Sequence, residues 1–136
     1  QLNKTLIAEK VFENKELLNQ LNKIVHPAVA VHFEDWYRNQ NKPFVIKESA
    51  ILFEIGAENK CDAVILITAP VNERIRRVKM RDKFSEEIIQ KRIDNQWTDN
   101  KKIPLADYVI ENTIKKNTIN KVKEIHDHIL NLSKKC

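Results

Sequence analysis

The sequence predicts an α/β fold in which a parallel sheet is covered by helices on both faces. Two observations carry that expectation. The chain contains short, nearly all-apolar runs, among them Ala63-Val64-Ile65-Leu66-Ile67-Thr68 and Tyr108-Val109-Ile110. Runs of this length without polar alternation suit strands buried on both faces, the usual state of a parallel sheet. Between them lie longer segments whose apolar residues recur every three or four positions, which is helical spacing.

The elements follow in order. Leu2 to Phe12 reads as a short helix with Leu6, Ile7 and Val11 as its apolar stripe. Asn14 can cap the next helix, because its side-chain oxygen accepts from the first free backbone N–H groups. Leu17, Leu18, Leu21, Ile24 and Val25 then recur at helical spacing. His26-Pro27 interrupts the pattern. Proline costs a helix interior about 3 kcal/mol, so the spacing predicts a kink, or a restart with Pro27 in first position. The restarted helix would reach about Asn39, with Val29, Phe33, Trp36 and Tyr37 in the core. Asn41-Lys42-Pro43 is a turn, and Phe44-Val45-Ile46 a short buried strand. Glu48 to Glu54 is a loop or short helix ending near Gly56. The strand Ala63 to Thr68 leads through Pro70 into a basic helix. A second basic helix runs from Ser85 to about Gln96. Ile103 to Ala106 leads into the strand Tyr108 to Ile110. A final amphipathic helix uses Ile119, Val122, Ile125, Ile129 and Leu132. Lys134 and Lys135 lie near its end, where cations are favoured. No internal repeat, low-complexity segment or linker is visible.

Composition narrows the function classes. The 136 residues correspond to one domain or part of one. No apolar run is long enough to span a bilayer and the start shows no signal-peptide pattern, so neither a membrane nor an export role is expected. Lys+Arg number 24 against 19 Asp+Glu, a net charge of +5, which fits an anionic ligand. No aromatic-plus-basic motif of a nucleic-acid module is present, so no nucleic-acid partner is expected. Cys61 and Cys136 have no metal-ligand or redox spacing and read as free thiols in a reducing cytoplasm. His32, His126 and His128 lack metal partners at useful spacing, and no metal site is expected. Lys115, Lys116, Lys121 and Lys123 read as a solvated helix face. There is one glycine, Gly56, against an average usage of about 7%. A glycine-rich phosphate loop therefore cannot be built from these residues.

The arginines are the sharpest signal. Arg74, Arg77 and Arg81 are spaced three and four apart in the first basic helix, which puts them on one face. The second basic helix adds Lys91 and Arg92. Guanidinium is planar, always charged and bidentate toward phosphate oxygens. A strand that feeds an arginine-faced helix hairpin suits the gripping of polyphosphate. The bland alternative is a solvated helix face.

Five segments then line up in series. They are Leu21-Asn22-Lys23-Ile24-Val25-His26-Pro27; Glu48-Ser49-Ala50-Ile51-Leu52-Phe53-Glu54; Arg77-Val78-Lys79-Met80-Arg81-Asp82; Arg92-Ile93-Asp94-Asn95-Gln96; and Ala106-Asp107-Tyr108-Val109-Ile110-Glu111-Asn112. In this order and at these spacings the chain resembles dephospho-CoA kinase, a P-loop kinase of the nucleotide-kinase type, from about Leu6 to Leu130. The resemblance implies a partial P-loop kinase domain over 1–136, incomplete at the N-terminus. The acceptor-binding region would lie at about 26–54, a helical lid at about 71–97, and the last strand and C-terminal helix at 106–136. The family's glycine-rich loop with its lysine and Mg²⁺-binding hydroxyl, and the aspartate regarded as general base, have no counterpart here.

The resemblance also implies roles. Arg77 and Arg81 would contact ATP phosphates from the lid, Arg92 would approach from the second helix, and Asn112 would lie by the adenine. Arg74 and Arg76 are weaker candidates. His26 and Pro27 match the motif near the dephospho-CoA site, and Glu48, Leu52 and Phe53 the loop flanking that acceptor. Ser49-Ala50 stands where a proline is common. His26 could instead be a satisfied histidine at a helix break, and Glu48 a structural partner for a lysine. ATP and Mg²⁺ would be co-substrate and ion, and dephospho-CoA the phosphoryl acceptor. The 136 residues alone would be inactive for want of a phosphate cradle. They would also be marginally stable or self-associating, because the family's central first strand would leave a gap between the strands present. Two alternatives remain: another small-molecule or nucleotide kinase with the same lid, and a non-catalytic basic domain that binds RNA or protein.

Overall fold

A computed structural model describes residues 2–3, 6–7, 10–11 and 14–134. They form two compact units, Gln1–Val45 and Ile46–Cys136.

The first unit is helical. Leu6, Ile7, Lys10 and Val11 are in helix, and Asn3 accepts from Leu6 N–H at 3.0 Å as a cap would. Phe12 of that expected helix, like Lys135 and Cys136 at the other end of the chain, lies outside the described residues. Helix α1 spans Lys15–Arg38. Asn14 Oδ1 accepts from Glu16 N–H at 2.9 Å and from Leu17 N–H at 3.2 Å. Leu6, Ile7, Val11, Leu17, Leu21 and Ile24 line an apolar groove within this unit.

Two expectations fail in α1. The helix does not restart at Pro27 but runs through it. Proline removes one ladder bond, the one to the carbonyl of Lys23. Both residues are exposed, so water can reach the freed oxygen, and one lost bond does not end a 24-residue helix. The aromatic residues are also not core. Trp36 and Tyr37 are exposed, and Phe33 is half-buried. They stack on one another, Phe33 with Trp36 at 5.6 Å and with Tyr37 at 6.3 Å between ring centroids. Helical spacing marks a face without saying what covers it.

The second unit holds the sheet. Phe44 to Ile46, expected as a strand, is not in it. Residues 50–56 form turns that close in a Schellman arrangement: Gly56 N–H donates to Phe53 O at 3.2 Å and Ala57 N–H to Leu52 O at 3.0 Å. Gly56 sits there at φ 62, the left-handed conformation that only glycine adopts freely. The chain's one glycine is therefore used to end a helical turn.

Strand β1, Ile65–Thr68, pairs in parallel with β2, Tyr108–Glu111, in the register Ile65 to Tyr108 through Thr68 to Glu111. The two are direct neighbours. Asp107 fixes their start: its Oδ2 accepts from Val64 N–H at 2.7 Å, while Asp107 N–H and Tyr108 N–H both donate to Val64 O at 3.1 Å. Between the strands run α2, Val71–Asp82; α3, Glu86–Asp94; the short α4, Asp99–Lys102; and a 3₁₀ turn, Ile103–Leu105. Helix α5, Lys115–Ser133, follows β2 and packs on it. The buried apolar residues are Phe53, Val64, Ala69, Ile89, Ile110 and Ile125. Alternation on β1 turns Val64 inward and leaves Ile67 62% exposed, so one face of this strand is uncovered. Ile119, Val122 and Leu132 of the α5 stripe are also exposed; Ile125 alone is fully buried.

Candidate functional site

The C-terminal ends of both strands point to one place. In open parallel sheets that edge is where ligands bind. There β1 passes through Ala69-Pro70 into α2, and β2 ends at Asn112. Asn112 N–H donates to Thr68 O at 2.8 Å, which holds the two strand ends together. Its Oδ1 lies 3.4 Å from Thr118 Oγ1 at the start of α5.

Helices α2 and α3 form the basic hairpin. Pro70 precedes the first turn of α2, where a missing N–H costs nothing. Ser85 caps α3 through its hydroxyl, which accepts from Ile88 N–H at 3.4 Å. Ile89, 2% exposed, pins α3 to the core. The reversal lies between them. Lys83, at the end of α2, adopts φ 57 without being glycine.

Every arginine of α2 has an acidic partner. Arg74 forms a forked pair with Asp99, Nη1 to Oδ1 at 3.2 Å and Nη2 to Oδ2 at 3.1 Å. Glu73 is shared by two guanidiniums: Arg76 donates to it at 2.9 and 2.7 Å, and Arg77 Nε at 2.8 Å. Those contacts, Arg76 first, pull the Glu73 carboxyl down from its ordinary 4.5 to about 2. Arg81 donates to Asp82 at 2.7 and 2.8 Å, and each holds the other in its charged form. Arg92 stacks over the Phe84 ring at 4.4 Å. Lys79 pairs with Glu86 at 3.1 Å and closes the hairpin's outer side.

The structure thus brings Arg77, Arg81, Arg92 and Asn112 into one unit together with Glu48, Leu52 and Phe53. Glu48 is exposed, Leu52 half-buried and Phe53 buried. Ser49 Oγ accepts from Ile51 N–H at 3.4 Å and helps to shape that loop. His26, half-buried, and Pro27 belong to the first unit. Arg74 shares a helix face with Arg77 and Arg81, but Asp99 already occupies its fork.

Three residues that the sequence did not single out stand behind this set. Glu54 Oε1 accepts from Lys102 Nζ at 2.8 Å and from Trp97 N–H at 2.7 Å. Lys102 is 7% exposed, the one buried charged residue among those described. In the sequence it follows Lys101 and looks like any surface lysine.

Comparison with known proteins decides the family. The profile of CoaE, dephospho-CoA kinase, matches residues 1–117. The chain belongs to the dephospho-CoA kinase family. The dephospho-CoA kinase of Chlorobium chlorochromatii is 37% identical over 134 residues, which are 96% of this chain and 63% of the relative. That of Bacteroides fragilis is 36% identical over 126 residues, 92% of this chain and 62% of the relative. The chain therefore spans about three fifths of the length of these relatives. The crystal structure of TT1252 from Thermus thermophilus superposes with a TM-score of 0.84 at 30% identity, over 92% of this chain and 65% of that one. Dephospho-CoA kinase from Campylobacter jejuni gives a TM-score of 0.52 at 27% identity, over 93% and 65%. Among the described residues no helix is long and apolar enough to cross a membrane.

Proposed function

We propose that these residues form the lid and acceptor side of a kinase that transfers the γ-phosphate of ATP to the ribose 3′-hydroxyl of dephospho-CoA. The observation that carries this reading is the arginine hairpin set directly on the C-terminal end of β1, in a chain of this family. In the transfer, the 3′-oxygen bonds to the γ-phosphorus, the bond to the β,γ-bridging oxygen breaks, ADP leaves, and the hydroxyl proton is lost. Little covalent chemistry is asked of the protein, so positioning and charge neutralisation dominate.

Arg77 and Arg81 supply the charge. Their present partners lie on their own helix, local pairs of the kind that hold weakly, so a polyphosphate can displace them. Arg92 adds charge from α3. Asn112, at the end of β2, has an amide that can meet the adenine. Glu48 and Leu52 flank the acceptor, and Phe53 anchors their loop in the core. His26 and Pro27, in the first unit, match the family's motif near dephospho-CoA. Among the described residues no group of three acidic, histidine or cysteine side chains could hold a metal ion. The residues described here do not build a Mg²⁺ site, and no step is assigned to that ion. This reading includes a cytoplasmic location.

The test is dephospho-CoA-dependent ADP release, measured for the 136-residue chain and for the complete reading frame that contains it. The complete protein should turn over. The 136 residues alone should not, because one glycine cannot form a phosphate cradle. Turnover with another nucleotide or small-molecule acceptor but not with dephospho-CoA would overturn the reading.

A further inference from the structure

Glu54 stands where two parts of the proposed site meet. It ends the stretch 48–54 that would flank the acceptor. Its Oε1 holds Trp97 N–H, just past α3, and Lys102 Nζ on α4. The contact with Trp97 spans 43 residues of sequence. Both charged side chains are removed from water, Glu54 to 13% and Lys102 to 8% exposure. Lys101 Nζ covers the Trp97 ring at 3.3 Å, and Asp99, between them, holds Arg74 of α2. The hairpin's two legs and the acceptor loop therefore converge on one small ionic cluster.

Stability alone does not account for a buried ion pair. Desolvation offsets most of the Coulomb gain, and an apolar pair of similar volume would serve as well or better. One carboxylate oxygen, Glu54 Oε2, is buried and has no hydrogen-bond partner, a further cost. What an ion pair adds over apolar packing is a preferred register between the elements that carry it. Burial alone would raise the Glu54 carboxyl, but the Lys102 and Trp97 hydrogen bonds outweigh it and keep the group ionised.

We propose that Glu54 and Lys102 are positioning residues that couple the acceptor loop to the arginine hairpin, so that ATP and the acceptor bind cooperatively. The proposal rests on the reading above. A shift of the 48–54 loop on acceptor binding moves the Glu54 carboxylate. The carboxylate carries Trp97 and Lys102 with it, and through Asp99 and Arg74 the base of α2. The arginines beyond are then set for the γ-phosphate only when both ligands are present.

The test uses the complete protein. The dissociation constant of dephospho-CoA is measured with and without a non-hydrolysable ATP analogue, in the wild type and in Glu54→Gln, Lys102→Met and the double variant. The wild type should bind dephospho-CoA at least about fivefold more tightly with the analogue present, the lower end of typical coupling between sites. Each single variant should bring that ratio below about twofold. A purely structural role would weaken both ligands in parallel and leave the ratio unchanged, and that result overturns the proposal. So does a wild-type ratio of one. Where a variant does not fold, hydrogen exchange on the wild type decides. Dephospho-CoA alone should slow exchange at Trp97 N–H and along 99–102, and no change there overturns the proposal. Failure of the wild type to bind or phosphorylate dephospho-CoA would instead sink the functional reading, and this inference with it. Turnover with an unchanged ratio sinks this inference alone.

Discussion

The ion pairs that anchor the hairpin to other elements and those made within it use the same residue types for opposite ends. Among the anchoring pairs, Arg74 meets Asp99 and Lys102 meets Glu54. These partners come from other elements, and all four side chains are no more than 35% exposed. Within the hairpin, Arg76 and Arg77 share Glu73, Arg81 takes its neighbour Asp82, and Lys79 takes Glu86 across the turn. The first set ties distant elements together, and its Lys102–Glu54 pair is nearly dry. The second is local, and its Arg77–Glu73 pair, at 37% and 25%, is about as exposed as Arg74–Asp99 at 35% and 26%. An exposed pair is worth little and can exchange its carboxylate for a phosphate, whereas breaking a buried pair strands a charge. Arg74 and Lys102 are thus held by other elements, whereas the charges of Arg76, Arg77 and Arg81 are balanced within α2.

That division can be broken at its strongest point. Lys102→Met leaves the Glu54 charge uncompensated and should destabilise the protein by about 3 kcal/mol, read from the denaturation midpoint. The double variant with Glu54→Gln should recover most of that loss. If the single change is silent, the anchoring pairs are not committed to the fold. Within the hairpin the effect should fall on catalysis. Arg77→Ala in the complete protein should lower kcat/KM for ATP about 100-fold, the scale of a lost charged contact to transferring phosphate, with stability within about 0.5 kcal/mol of the wild type. Arg81→Ala should behave in the same way. A stability loss as large as that of Lys102→Met would place these arginines with the anchoring pairs.

The sequence distinguishes anchoring charges from local ones poorly, and the reason is physical. The hairpin itself is legible: the apolar run before Pro70, the second basic segment from Ser85 and the three-four arginine spacing identify strand, helix, turn and helix correctly. The strand pair is legible for the same reason. What is not legible is the partner of each charge. Arg74, Arg77 and Arg81 have one spacing, yet Asp99 lies 25 residues from Arg74. Lys101 and Lys102 are adjacent, yet one covers an indole and the other is buried. In a four-residue helix there is no periodicity to separate them. Pro27 and Trp36 show the same limit in α1: local rules expected a break and a buried face, and length and surroundings decided otherwise. Of the residues now proposed for the site, the sequence offered the arginine face and missed the Glu54–Lys102 pair.

Smaller changes sharpen the boundary between the two regions. Asp99→Asn removes the charge from the Arg74 fork but keeps an acceptor. It should cost about 1 kcal/mol, less than the Lys102 change because this pair is partly wet. The turn at the tip carries a different kind of cost. Lys83 holds φ 57, and a left-handed non-glycine residue is strained by roughly 1–2 kcal/mol. Lys83→Gly should therefore stabilise the hairpin by about 0.5 kcal/mol after the added freedom of the unfolded chain is subtracted. A loss of stability would mean that the lysine side chain makes an offsetting contribution at the turn.

The gentlest test is protonation of Glu73. Its folded carboxyl titrates at about 2, below the ordinary 4.5, because Arg76 and Arg77 hold the charged form. A depressed carboxyl contributes stability that is complete above about 4.5 and lost as pH falls toward 2. Glu73→Gln should therefore flatten the acid limb of the stability profile in that window and leave it unchanged near neutrality apart from a constant offset. Because Glu73 keeps 25% of its side chain exposed, the difference should shrink as salt is raised. A difference between the two profiles that persists in high salt would mean that the Glu73 pairs are as desolvated as Lys102–Glu54, and their arginines no freer to leave their carboxylate.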